Sequence, residues 1–255
     1  MAAASRLRSA LAGVVIGAGA LATATLAGPD TPTYRQFHPD GPGPHPAVVF
    51  VSGCSGFTPA LAPKSYERAA EQLRTQGYVV VFADYLGRRG LQNCNSSRIN
   101  RSEAGKDVVA AANWLKSQPF VDPARISAVG WSFGGGAVLV ALAEHRPEQL
   151  GFSRAALYYP ECRLLPSFKS TTPLLMLLGG ADEVAPGDAC EELVKHSTAP
   201  KTVKIVIYSG ALHGFDVSEL PAETTYSFGK IGYNARAAAA AQQELERFLK
   251  GEATP

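Results

Sequence analysis

Residues 125–136 read RISAVGWSFGGG, and this stretch decides the fold of the chain. The sequence predicts a buried strand at 125–130 and a helix at 133–144, joined by a very tight turn at Ser132. Side chains two positions before and after such a serine would collide with the turn, and Gly130 and Gly134 remove those collisions. The Gly-x-Ser-x-Gly pattern in this strand–turn–helix setting therefore predicts a serine held exposed as a nucleophile. The alternative is a glycine-rich turn used only for close packing.

Apolar runs typical of buried strands alternate with helical patterns along most of the chain. We predict strands at 34–37, 47–51, 78–83, 125–130, 155–159, 174–178 and 203–208, and helices at 65–76, 102–117, 133–144, 188–196 and 235–249. This alternation indicates βαβ units and a mostly parallel sheet. Chemistry in such sheets takes place outside the carboxyl ends of the strands, so residues that directly follow a strand are the candidates for function.

A serine hydroxyl becomes a useful nucleophile only when a base takes its proton. Among the five histidines, His213 follows the strand at 203–208 and comes after Ser132 in the chain. The acid of a triad is expected between them, and Asp182 follows the strand at 174–178. Glu183 and Asp188 are nearby rivals, although a helix N-cap suits Asp188 better.

The order serine, acid, histidine is that of the α/β-hydrolase fold. The sequence therefore predicts an α/β-hydrolase, with a mostly parallel central sheet flanked by helices and little or no cap. Its catalytic residues are Ser132, Asp182 and His213. An oxyanion hole needs two backbone N–H groups. We expect these from Phe133, directly after the nucleophile, and from Cys54, in the loop after the strand at 47–51.

From about Pro46 to Leu249, the chain resembles the dienelactone hydrolase family. The motifs that carry the likeness are GCSG at 53–56, DYLGR at 84–88, the turn around Ser132, GGAD at 179–182 and ALHGF at 211–215. The resemblance implies an eight-stranded domain without a cofactor. The chain departs from the family pattern at two positions. The namesake enzymes have a cysteine where this chain has Ser132, and a glutamate where it has Gly53. The chain is thus similar to a serine-nucleophile variant of the family.

The substrate-contacting residues are less well defined by the sequence. Arg88 matches a family arginine that holds a substrate carboxylate, and a surface arginine beside Arg89 is the equal alternative. Aromatic residues near the predicted site suggest an apolar acyl pocket, although each of them suits a core position as well. These are Phe57, Tyr85, Trp131, Phe133 and Phe215.

Three functions are compatible with these residues. The first is a carboxylic ester hydrolase that acts on a small-molecule ester through an acyl-enzyme at Ser132. The second is a peptidase resembling the prolyl oligopeptidase group, and the third is a non-catalytic binding protein on a hydrolase scaffold. No metal-ligand cluster is visible in the sequence, so neither a metal nor another cofactor is expected. Nothing in the sequence indicates the oligomeric state.

The N-terminal segment is typical of a signal peptide. Arg6 and Arg8 precede an apolar run at 11–21, and small residues follow, so we predict a signal peptide at 1–27 and one hydrolase domain at 28–255. An uncleaved membrane anchor is the alternative, but the run is short for a span. The net charge is +2 for the whole chain and about 0 without residues 1–27, which argues against nucleic acid. A secreted or periplasmic protein without a stable membrane anchor is expected.

Four cysteines remain in the predicted mature chain, and an even number in an exported protein suggests two disulfides. Buried free thiols are the alternative. Cys54 and Cys94 follow neighbouring strands, and Cys162 and Cys190 follow the next pair of neighbours. We therefore predict the bridges Cys54–Cys94 and Cys162–Cys190, because the other pairings would have to cross the sheet face.

Overall fold

The computed structural model describes residues 34–60 and 64–252, and the predicted signal peptide at 1–27 lies outside these ranges. The main sheet contains seven strands: β1 (Arg35–Phe37), β2 (His45–Val51), β3 (Val79–Phe82), β4 (Val121–Trp131), β5 (Phe152–Tyr158), β6 (Leu174–Gly179) and β7 (Val203–Tyr208). A separate hairpin is formed by β8 (Thr224–Tyr226) and β9 (Gly229–Ile231). The helices are α1 (Ser65–Thr75), α2 (Arg101–Lys116), α3 (Phe133–Glu144), α4 (Pro147–Leu150), α5 (Gly187–Lys195) and α6 (Ala235–Lys250).

The strands lie in the order β1-β3-β2-β4-β5-β6-β7, and only β1 runs antiparallel to its neighbour. The mostly parallel sheet predicted from the sequence is therefore confirmed. The described part of the sheet has seven strands, whereas the family resemblance implies eight. The residues after β7 form the separate hairpin and α6 instead of another strand of this sheet.

Helices cover both faces of the sheet, which explains why its inner strands are apolar on both sides. Every residue of β3 and β6 is buried. One apolar cluster packs beneath α2, α3 and α5, and a second packs beneath α1 and α6. In the described ranges, no helix is both long enough and apolar enough to cross a membrane.

The register of the parallel strands aligns their carboxyl ends at one edge. Val51 of β2 lies opposite Gly130 of β4, and Trp131 of β4 lies opposite Tyr158 of β5. Gly179, at the end of β6, pairs with Tyr208 at the end of β7. The loops that follow these five strands therefore meet at the same edge.

Two disulfides lie at this edge, in the pairing predicted from the strand order. Cys54 is bonded to Cys94 with 4.7 Å between their Cα atoms, and Cys162 is bonded to Cys190 with 5.0 Å. The bridges close segments with sequence separations of 40 and 28 residues. The first bridge joins two loops, and the second joins the loop after β5 to helix α5.

Replacing Gly134 by alanine should destabilise the fold strongly. A Cβ at Gly134 would lie 2.3 Å from the carbonyl oxygens of Val51 and Ser52, so the backbone would have to move. We expect Gly134→Ala to lower the free energy of unfolding by about 3 kcal/mol, the upper end of the usual cost of overpacking. Chemical denaturation measures this loss. In the control Gly187→Ala, the added carbon meets only ordinary contacts, the nearest at 3.4 Å, and stability should change by less than about 1 kcal/mol. Equal stabilities of the two variants would contradict the packing argument.

Removing the second bridge should weaken the fold without abolishing it. The double variant Cys162→Ser/Cys190→Ser frees a segment of 28 residues. It should lose about 2–4 kcal/mol of stability, chiefly because the unfolded chain regains conformational freedom. Urea denaturation of the oxidised wild type and the variant measures the difference. A variant as stable as the wild type would contradict this expectation.

Candidate active site

Ser132 occupies the turn between β4 and α3 in a strained backbone conformation. Its φ of 49° and ψ of −115° lie in a region that non-glycine residues rarely adopt, at a cost of about 1–3 kcal/mol. The backbone N–H of Ser132 donates to the carbonyl of Tyr158 at 2.9 Å, which fixes the turn against the end of β5. The strain is thus maintained by the surrounding sheet, and the side chain of Ser132 remains partly exposed.

The structure brings His213 and Asp182 to this serine in one chain of hydrogen bonds. The Nε2 atom of His213 lies 2.9 Å from Ser132 Oγ, and its Nδ1 atom lies 2.8 Å from Asp182 Oδ2. The other carboxylate oxygen of Asp182 accepts from the backbone N–H groups of Val184 and Ala185 at 2.8 and 2.9 Å. The Asp182 side chain is fully buried, so its position is fixed on both sides.

The two rival acids lie elsewhere. Glu183 and Asp188 are both exposed. Asp188 is also not the N-cap that the sequence suggested, because α5 already begins at Gly187. The carboxylate of Asp188 instead accepts from the N–H of Ala189 within the first turn, at 2.8 Å.

Two backbone N–H groups stand free beside the nucleophile. Within the described residues, the N–H groups of Cys54 and Phe133 donate to no acceptor. The loop at 52–56 lies against the serine, since a Cβ at Gly53 would be 3.6 Å from the Cβ of Ser132. This arrangement gives the site two donors of the kind that an oxyanion hole requires.

Hydroxyl groups hold the loop at 52–56 in place. The Tyr66 hydroxyl accepts from the N–H of Gly53 at 2.8 Å, and the Tyr85 hydroxyl donates to its carbonyl at 2.8 Å. Burial raises the pKa of both phenols well above the usual tyrosine range, so both hydroxyls keep their protons. The bridge to Cys94 and the hydrogen bond from its N–H to the carbonyl of Cys54, at 2.9 Å, restrain the loop further. Tyr66 was not identified from the sequence, because a tyrosine on an amphipathic helix carries no motif.

The aromatic residues proposed as substrate contacts are placed in the core around the site. Tyr85, Trp131 and Phe57 expose 0%, 4% and 7% of their surface. Phe57 stacks on Phe82 with 4.1 Å between ring centroids, and Trp131 stacks on Tyr158 with 5.4 Å. Their contacts in this structure are therefore structural. The pattern of apolar residues in a sequence does not distinguish a site wall from the layer behind it.

Arg88 also has a structural partner. Its Nη1 atom lies 3.1 Å from Oδ1 of Asp107, a buried residue of α2, and Arg89 pairs with the other oxygen of the same carboxylate. A different arginine packs against the residue that follows Ser132. The guanidinium of Arg101 lies 4.5 Å from the centroid of the Phe133 ring, and burial lowers its pKa. No motif in the sequence singles out Arg101, which begins α2 after an irregular loop.

A second carboxylate lies close to the triad and was also missed. Asp216, three residues after His213, accepts from the Tyr159 hydroxyl at 2.5 Å and from Trp131 Nε1 at 2.8 Å. Removal from water raises the pKa of this carboxyl above the usual aspartate value. In the described ranges, no group of three or more His, Cys, Asp or Glu side chains is arranged to hold a metal ion.

Comparison with known proteins identifies the family to which the chain is similar. Residues 34–253 match the dienelactone hydrolase family. The uncharacterized protein Rv2307c of Mycobacterium tuberculosis H37Rv is 33% identical over 184 residues, which cover 64% of this chain and 62% of that protein. The chain thus spans less than two thirds of the length of the curated relatives that it matches.

Solved structures show the same fold. A dienelactone hydrolase from Anabaena variabilis superposes with a TM-score of 0.62 at 20% identity, covering 86% of this chain and 91% of that chain. Esterase 2 of Thermogutta terrifontis, phosphorylated by paraoxon, gives 0.61 at 18% identity, covering 85% and 87%. The family match extends over nearly all of the described residues and includes every loop of the site, so the chain belongs to the dienelactone hydrolase family.

Proposed function

We propose that this protein is a serine hydrolase that cleaves carboxylic esters through an acyl-enzyme at Ser132. The observation that carries the proposal is the continuous chain from Ser132 Oγ through His213 to Asp182, with hydrogen bonds of 2.9 and 2.8 Å. A nucleophile, a base and an orienting acid in this order are the requirement for acyl transfer through a serine.

The chemistry follows from the positions of these groups. His213 Nε2 takes the hydroxyl proton as Ser132 Oγ bonds to the ester carbonyl carbon, and the carbonyl oxygen becomes an oxyanion facing the N–H groups of Cys54 and Phe133. When the tetrahedral intermediate collapses, the bond to the alcohol oxygen breaks and the imidazolium gives its proton to the departing alcohol. Water then attacks the acyl-enzyme in the same way, which releases the acid and restores the serine. Asp182 stabilises the imidazolium in both halves of the reaction.

Two observations favour a hydrolase of esters over the alternatives. Three aligned triad residues next to two free N–H groups would serve no purpose in a non-catalytic binding protein. The solved structures with this fold include an esterase that reacts with paraoxon, an organophosphate that is attacked by nucleophilic residues. The peptidase alternative depends on the leaving group, and a substrate panel separates it from the ester hydrolase.

We also propose that the protein acts outside the cytoplasm, in the periplasm or after secretion. Both disulfides support this, because such bridges form and persist in oxidising compartments. The predicted signal peptide at 1–27 remains a prediction from the sequence. Fractionation of cells that express the full chain, followed by N-terminal sequencing of the product, tests the proposed location and cleavage together.

Removing the nucleophile should abolish turnover and leave the fold intact. We expect Ser132→Ala to lower kcat/KM for an activated ester such as p-nitrophenyl acetate by about 10³-fold or more. His213→Ala should lose about as much, and Asp182→Asn somewhat less. The control Ser117→Ala changes an exposed serine after the last turn of α2 and should keep full activity. Retention of esterase activity by purified Ser132→Ala would refute the assignment.

A fluorophosphonate probe and a substrate panel separate the three candidate functions. The wild type should be labelled at Ser132, since its oxygen is activated by His213, and peptide mapping identifies the site. Esters should be hydrolysed much faster than amides of the same acyl group. Labelling with faster cleavage of peptides than of esters would favour the peptidase, and an unlabelled protein would favour a binding function.

A further inference from the structure

The carboxylate of Asp216 joins two segments that carry the catalytic residues. One of its oxygens accepts from Trp131, which directly precedes Ser132. The other accepts from Tyr159, which follows the last residue of β5. Asp216 itself belongs to the loop of His213. One partly buried side chain therefore connects the turn of the nucleophile, the loop of the base and the strand between them.

Tyr159 is the link between this carboxylate and the base. Its ring packs against the imidazole of His213, with 4.5 Å between the ring centroids and 57° between the planes. Its backbone has a φ of 37°, which is a genuine outlier for a bulky residue and has to be held by its surroundings. The hydroxyl bond to Asp216 and the backbone bond from the Tyr159 N–H to the carbonyl of Leu177, at 2.9 Å, provide that restraint.

Trp131 and Asp216 border a cavity, so packing alone does not hold these side chains in place on that side. A cavity of about 310 Å³ lies between α1 and α6, and Trp131, Tyr66 and Asp216 all line it. On the side that faces this space, these side chains do not pack against other protein atoms. The hydrogen bonds of Asp216 therefore provide a restraint where side-chain packing provides less.

We propose that Asp216 is a positioning residue for the hydrolytic reaction: through Tyr159 and Trp131, it holds the imidazole of His213 in line between Ser132 and Asp182. The inference rests on the proposed function, because it concerns the same base. Asp216 does not contact the reacting atoms. Its effect is on the orientation of the imidazole, and small errors in such an orientation are costly for proton transfer.

Substitutions of Asp216 separate geometry from charge. In Asp216→Asn, the amide oxygen can accept from Trp131 while the amide nitrogen donates to the Tyr159 oxygen, so the connection is kept without the negative charge. In Asp216→Ala, both hydrogen bonds are lost. We expect kcat for p-nitrophenyl acetate to fall about 10–100-fold in the alanine variant with KM nearly unchanged, and to stay within about threefold of wild type in the asparagine variant.

A double-mutant cycle with Tyr159 tests the inference independently. Tyr159→Phe keeps the ring on His213 and removes only the hydroxyl, so kcat should fall less than in Asp216→Ala. Because both changes break the same connection, the double variant Tyr159→Phe/Asp216→Ala should lose little more than Asp216→Ala alone. The control Glu219→Ala removes an exposed carboxylate of the same loop, paired with Arg68 at 2.6 Å, and should keep the wild-type kcat.

The same variants are measured by thermal unfolding and by the rate of fluorophosphonate labelling. A slower labelling rate in Asp216→Ala, restored in Asp216→Asn, supports the inference. If the alanine variant does not fold, slower labelling of Tyr159→Phe together with near-wild-type labelling of Asp216→Asn supports it, and wild-type labelling of Tyr159→Phe counts against it. Wild-type labelling by Asp216→Ala, equal losses in the alanine and asparagine variants, or additive losses in the double variant would overturn it. The labelling rate does not depend on the natural substrate. A wild type that is labelled but hydrolyses no ester would therefore count against the proposed function alone, whereas one that is not labelled would overturn both.

Discussion

Helix α3 begins so close to the end of β2 that no side chain fits between them. At Gly134, a Cβ would lie 2.3 Å from two carbonyl oxygens of the neighbouring strand end, and at Gly130 it would lie 2.8 Å from the carbonyl oxygen of Gly134. The chain can pass from β4 to α3 in this space only through the strained conformation of Ser132. The conformation of Ser132 and the packing of α3 against the loop at 52–56 both depend on that close approach.

The second level of organisation is the edge where the parallel strands end. The loops after β2, β4, β6 and β7 carry the residues that we propose as oxyanion donors, nucleophile, acid and base. Each loop is restrained by its own set of contacts. A disulfide and two tyrosine hydroxyls hold the loop after β2. Backbone N–H groups donate to the Asp182 carboxylate in the loop after β6. The carboxylate of Asp216 ties the loop after β7 to the turn after β4.

The residues that lie at strand ends were predictable from the sequence, because strand order and chain order place them. Ser132, Asp182 and His213 each follow an apolar run, and the parallel arrangement brings such positions together. The same reasoning gave both disulfide pairings. The sequence predicts the start of β4 at residue 125, whereas the strand begins four residues earlier, at Val121. The pairing between β2 and β4 is irregular near His45, where this additional part of the strand lies.

Contacts between residues distant in sequence were not predictable in this way. Arg88 was considered as a substrate residue, but its partner Asp107 lies on a helix face that no motif marks. The aromatic residues considered as substrate contacts are buried, and a sequence does not show whether an aromatic side chain lines a site or packs behind it. Asp216 and Tyr66 act through hydrogen bonds to residues 85 and 13 positions away, so their roles emerge only from the folded chain.

The first disulfide also bears on why the nucleophile is an oxygen. Cys54 donates one of the free N–H groups beside Ser132, so its bridge to Cys94 belongs to the loop that faces the nucleophile. The family resemblance places a cysteine at position 132 in the namesake enzymes. Here such a cysteine would be a fifth cysteine beside four that are already paired. An activated thiolate attacks neighbouring disulfides through mixed-disulfide intermediates. A hydroxyl does not take part in that exchange, so with serine at position 132 the acyl chemistry that we propose does not interfere with the formation of the two disulfides.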